Sequence, residues 1–173
     1  MKNKIITVKV IGFVFVSLLG TWLHFLYEWT DKSPFIAPFS GVNESTWEHM
    51  KLFFVPAFLF AVAERFLFKD RIDFWRLKLK GILFGILLIP AVYYFYNCVI
   101  GKSPDWLNIA IFFISVFLSF ALELKLFLDI DSKKQGYKSF IAIILISIAF
   151  TVFTFFTPKL AIFQDPITGL YGI

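Results

Sequence analysis

Both histidines of the chain and four of its 12 acidic residues fall within residues 24–51, the one stretch whose residue types and spacing can do chemistry. His24 and Glu28 stand four residues apart at the end of one apolar run, and Asn43, Glu44, Glu48 and His49 open the next. Imidazole and carboxylate are the side chains that hold Zn, Fe or Mn, and three of them plus a bound water make a hydrolytic centre. On this reading His24, Glu28 and His49 are the metal ligands and Glu48 or Glu44 takes a proton from the bound water. Asn43, Asp165 and Asn97 are further polar groups expected to bind. The spacing itself is no metal signature: His-Glu-x-x-His is absent, as is the paired Glu-x-x-His of di-iron bundles.

Local helix rules explain some of these residues without a ligand. Ser17, Gly20, Thr21, His24 and Glu28 recur at spacings of three and four, which puts them on one helical face among large apolar neighbours. A rise of about 1.5 Å per residue sets His24 roughly 6 Å deeper than Glu28. An ionisable group at depth in a membrane helix either marks function or pairs with Glu28 or a neighbouring helix. Ser45-Thr46-Trp47-Glu48 fits a capping box, in which Ser45 caps the third amide and Glu48 reaches back to the Ser45 amide. A helix dipole favours carboxylates at its amino terminus, which accounts for Glu44 and Glu48, and Lys51 is placed to neutralise Glu48. No such rule covers His49.

The elements that must position these groups are apolar helices. A chain of 173 residues that is 59% hydrophobic, 21% aromatic and only 17% charged suits a polytopic membrane protein and not an ordinary soluble domain. Five runs reach the roughly 20 residues that a hydrocarbon core about 30 Å thick requires. The expected fold is all-α, a bundle of five transmembrane helices at about 5–28, 46–68, 80–100, 105–126 and 138–157 in a single membrane domain, 1–173. Of the 17 Lys and Arg residues, only Lys32, Lys51, Lys102 and Lys159 fall on the side opposite the amino terminus. The amino terminus is therefore expected in the cytoplasm and the carboxyl terminus outside, in a multi-pass protein of the cell membrane.

Segments 29–45 and 158–173 are then outer caps. Pro34 and Pro38 stiffen the first beside Phe35, Ile36 and Phe39, and the second is rich in turn residues yet apolar. Residues 69–80 interleave cations with Phe74, Trp75, Leu77 and Leu79 and read as an interfacial segment on anionic lipid. The inner carboxylates, Glu64 and Glu123 among them, are accounted for by pairing with nearby cations, and residues 129–138 by a solvated turn. The lipid bilayer is the expected partner; nucleic acid is not, because no reader motif accompanies the cations. Cys98, the single cysteine, excludes an internal disulfide or a cysteine metal cluster.

Three motifs, His24-Phe-x-Tyr-Glu-Trp29, Val42-Asn-Glu-Ser-x-Trp-Glu-His-x-Lys-Leu52 and Asp165-Pro-x-Thr-Gly-x-Tyr-Gly172, resemble the marks of a family of small five-span bacterial membrane proteins of unassigned function. The resemblance implies that the three segments belong together and implies no reaction. The chain departs from that pattern at Gly41, where the family often has Pro, which bears on loop stiffness. The expected function is an enzyme at the outer leaflet, most concretely a metal-dependent hydrolase of a lipid or envelope substrate. The alternative is a non-catalytic membrane protein: a transporter component, a binding module or an assembly partner.

Overall fold

A computed structural model describes residues 2–101, 104–129 and 135–173, so the turn expected at 129–138 lies largely outside the described residues. The described chain is helical: α1 (Lys2–Trp29), α2 (Thr46–Leu67), α3 (Phe74–Val99), α4 (Asp105–Asp129) and α5 (Tyr137–Phe155), followed by a 3-10 turn at Ala161–Phe163. Four of the helices, α1, α3, α4 and α5, are long and apolar enough to cross a membrane, as expected of a multi-pass membrane protein. Leu18, Leu87, Phe117 and Leu145 are more than half exposed on these four helices, an arrangement suited to lipid and unfavourable in water.

α2 is different because Glu48, Lys51 and Glu64 lie within it. It occupies the middle of the bundle and touches α1, α3, α4, α5 and the 3-10 turn. Its surroundings are therefore mostly protein, and Phe53, Phe54, Ala57 and Ala61 along it are buried. Close approach is arranged by small residues: a Cβ at Gly20 of α1 would sit 2.8 Å from the Leu52 carbonyl of α2. Pro56 and Pro90 lie inside α2 and α3 without ending either helix.

Two sequence expectations change at the end of the bundle where α1 begins. α3 starts at Phe74, so the second half of the supposed interfacial segment is its first turns, with Phe74, Leu77 and Lys78 buried. Lys9 and Lys78 are likewise not surface cations. With Glu64 and Glu123 they form a buried quartet, one residue from each of α1, α3, α2 and α4, with every member at most 2% exposed. Lys9 Nζ donates to Glu64 at 2.5 Å and to Glu123 at 2.7 Å; Lys78 Nζ lies 2.7 Å from Glu123 and 3.1 Å from Glu64. Lys9 also stands over the Phe127 ring at 3.7 Å. Two cations against two carboxylates leave no net charge in the interior, which is what makes their burial tolerable.

Candidate metal centre

At the opposite end, where α1 finishes and α2 begins, the loop between them is fixed before any functional group is placed. α1 stops in a Schellman motif: the Lys32 amide donates to the Tyr27 carbonyl at 2.9 Å and the Asp31 amide to Glu28 at 3.2 Å. Asp31 and Lys32 accordingly take φ of +51° and +57°. Ser40 then returns to α1. Its hydroxyl accepts from the Tyr27 amide at 3.0 Å and donates to the Leu23 carbonyl, the two groups that an uninterrupted helix joins to each other. The loop is thus stitched into the backbone of α1 beside His24.

The start of α2 is capped differently from the expected box. Ser45 does cap, its hydroxyl accepting from the Glu48 amide at 3.4 Å. The Ser45 amide is taken by Asn43 Oδ1 at 2.9 Å, and the Glu48 carboxylate accepts instead from the Val42 amide at 3.0 Å. Glu48 also pairs with Lys51 at 2.6 Å, and both are buried. Lys51 spends its remaining donors on the Ala37 carbonyl at 2.7 Å and Thr154 Oγ1 at 2.8 Å, so one ammonium ties the loop, α2 and α5 together.

Between these anchors His24, His49 and Glu44 converge. Ligand atoms from the three lie within 4.8 Å of one another. His24 Nε2 is 3.5 Å from Glu44 Oε1, and His49 Nε2 is 3.6 Å from Glu44 Oε2. The two imidazole centroids are 5.7 Å apart. Two ligands each about 2.1 Å from a tetrahedral ion lie about 3.4 Å apart, so these separations suit a shared cation. His49 Nδ1 is 3.0 Å from the Ser45 carbonyl. A carbonyl can only accept, so Nδ1 carries the proton there, and Nε2 is the nitrogen presented to Glu44.

The other sequence candidates are placed elsewhere. Glu28 is 65% exposed and pairs with Lys32 at 3.5 Å, away from both histidines. Asn43 Nδ2 donates to the Gly172 carbonyl at 3.0 Å and so holds the carboxyl-terminal tail. Asp165 shapes that tail, its Oδ1 accepting from the Ile167 and Thr168 amides at 2.8 and 3.3 Å. The turn it makes presents Pro166 and Ile167. Asn97 donates to the Tyr93 carbonyl at 2.7 Å and lines a cavity of about 470 Å³ with Glu44, His49, Tyr93, Asn108 and Pro166. A second cavity of about 360 Å³ reaches His24, Glu44 and His49 from between α1 and α4, past Gly20, Phe25, Ile109 and Phe113. The two cavities share Glu44, His49, Asn108, Phe112 and Ile167, so the His–Glu cluster forms part of the wall between them.

Sequence reasoning paired Lys51 with Glu48, and Glu64 and Glu123 with inner cations, as found, but it passed over Asn108, the bonds from Lys51 to Ala37 and Thr154, and the burial of Lys9 and Lys78 as the partners of the two carboxylates. For the quartet a signal existed: Lys9, Glu64 and Glu123 lie within apolar runs and Lys78 just before one, two charges of each sign near the same end of the bundle. Asn108 had none beyond being a lone amide in an apolar helix.

Comparison with known proteins agrees on extent and says nothing of chemistry. Residues 1–173 match the family described as a family of unknown function, DUF6512. The chain belongs to the DUF6512 family. No curated protein and no solved structure matches it. Because this family spans the whole chain, the loop, α2 and the tail that build the His–Glu cluster all lie within the matched region.

Proposed function

We propose that this DUF6512 protein is a metal-dependent hydrolase of the cell membrane, with a divalent cation (Zn, Fe or Mn) held by His24, Glu44 and His49. The observation that carries this reading is the pairing of His49 Nε2 with Glu44 Oε2 at 3.6 Å while Nδ1 faces the Ser45 carbonyl. With Nδ1 turned to the Ser45 carbonyl, Nε2 faces the carboxylate, and a cation seated between them would engage His49, Glu44 and His24 together. A backbone carbonyl fixing the tautomer of a ligating histidine is the usual outer support of a metal site. Two imidazoles and one carboxylate leave coordination positions for water and substrate. A divalent ion held by His24, Glu44 and His49 would acidify a bound water and so supply the nucleophile for hydrolysis of an ester, and the Glu44 carboxylate is the group beside it that would take up the water's proton and return it to the leaving alcohol. Glu48, already engaged by Lys51 and the Val42 amide, is assigned to structure and not to proton transfer.

The site belongs to the outer face on this reading. Lys9, Lys51 and Lys78 are buried and drop out of the topology count, but Arg65, Lys69, Arg71, Arg76, Lys80 and Lys125 all remain at the quartet end, which supports a cytoplasmic assignment of that end. α2 is the fifth span, its buried charges neutralised within the protein, and the carboxyl terminus is then extracytoplasmic. A transporter reading has less support. Neither cavity reaches Glu123, whose Oε2 is taken by both Lys9 and Lys78.

The test is elemental analysis of protein purified in detergent without chelator. One transition-metal ion per chain is expected, lost in His24→Ala and His49→Ala with the fold retained by circular dichroism. Absence of any ion, together with unchanged thermal stability on adding Zn, Fe or Mn, rejects the proposal. An ion bound without ester hydrolysis moves the protein to the non-catalytic class.

A further inference from the structure

We infer that the substrate of this site is a lipid-like amphiphile whose apolar chain enters from the bilayer between α1 and α4, presenting the linkage between its chain and its polar head to His24, Glu44 and His49. This rests on the metal reading above and adds to it the class of molecule and its route.

Depth is the first support. α1 has 28 residues and is therefore about 42 Å long, close to the roughly 40–45 Å of a bilayer with its headgroup layers. The hydrocarbon core takes about 30 Å of that, leaving about 6 Å of headgroup layer at each end. His24 lies five residues before Trp29, hence roughly 7 Å from the helix end. The cluster thus sits at the boundary between headgroups and hydrocarbon, the level at which a lipid's chain is joined to its head.

The second support is the unlike character of the two cavities. The larger carries Thr46, Tyr93 and Asn97 as polar lining of its own, with Asn108 shared between the two. The smaller is walled mainly by Phe25, Leu52, Ile109 and Phe113, with Gly20 on its α1 side and Phe112 shared with the larger. Both fall in the size range of about 300–1,000 Å³ that holds small ligands. A molecule occupying both would place a polar part on one side of the cluster and an apolar part on the other.

The third support is the position of the smaller cavity's mouth. Phe25, Ile109 and Phe113 are 46%, 59% and 37% exposed. On helices long and apolar enough to cross a membrane, exposed rings and branched chains face acyl chains. The opening between them therefore meets lipid directly, and a substrate already in the leaflet need not pass through water.

The test uses full-length protein in nanodiscs containing a phosphatidylglycerol with a diazirine on an acyl-chain carbon close to the ester. After illumination, labelled peptides are mapped by mass spectrometry and the same samples are analysed for metal. Labelling should concentrate on Phe25, Ile109 and Phe113, and should be lost in Ile109→Trp, which fills the mouth. It should persist in Leu145→Trp, a lipid-facing control on α5. Labelling spread evenly over the exposed faces of α1, α3, α4 and α5, and unaltered in Ile109→Trp, overturns the inference even when the ion is present. Ion-free protein whose labelling still concentrates in the cleft removes the metal proposal and supports the lipid site.

Discussion

At the scale of single residues, two carboxylates one helical turn or one loop away from His24 behave oppositely. Glu28 is the closer in sequence and is spent on Lys32 at the surface, whereas Glu44 is twenty residues distant and faces both imidazoles. Glu44→Gln should abolish metal retention while Glu28→Gln leaves the metal content of purified protein unchanged. Glu48 makes a separate prediction, because Lys51 is fully buried and depends on it for charge balance. Glu48→Gln leaves that ammonium unpaired, so thermal or denaturant unfolding should show a loss of about 3–5 kcal/mol, with the ion still bound to whatever folds. His24 and His49 were legible in the sequence because no helix rule accounts for either. The choice of Glu44 over Glu28 was not. It depends on where the loop returns, which follows from left-handed backbone at Asp31 and Lys32 and from a serine hydroxyl meeting the α1 backbone.

At the scale of elements, the loop between α1 and α2 is the part that sets the geometry of the site. Ser40 holds it to α1, Lys51 holds it to α2 and α5, and Asn43 joins it to the tail. Ser40→Ala removes a buried hydroxyl that serves two backbone groups of α1, leaving the Leu23 carbonyl and the Tyr27 amide to rejoin each other. The expected cost is about 1–2 kcal/mol of stability. Metal affinity should weaken as well, because His24 stands between those two residues; a titration monitored by calorimetry measures it. The helices themselves were legible, since runs of about 20 apolar residues in this composition admit one interpretation. What hydropathy could not supply was neighbourhood. α2 can carry more charge than the other helices because most of its surroundings are protein, and the first turns of α3 looked interfacial because Lys78 has partners on α2 and α4 that lie 14 and 45 residues away.

At the scale of the whole molecule, the two polar assemblies sit at opposite ends of one bundle and differ in kind. One end presents half-buried imidazoles and a carboxylate to cavities; the other seals two cations and two carboxylates away from them. Glu123→Gln leaves two ammonium groups facing one carboxylate and should lower thermal stability by about 3–5 kcal/mol. Lys78→Met with Glu123→Leu restores neutrality and should recover most of that loss in the same melting experiment. The quartet also imposes an order on biosynthesis. Its members arrive as Lys9, Glu64, Lys78 and Glu123, each on its own helix, and an isolated charge deep in a membrane helix costs up to about 3 kcal/mol to insert. A nascent chain that has emerged only as far as α3 carries two of the cations and one of the carboxylates. Charge balance is therefore completed only when α4 is synthesised, and until then the first three helices are a substrate for quality control.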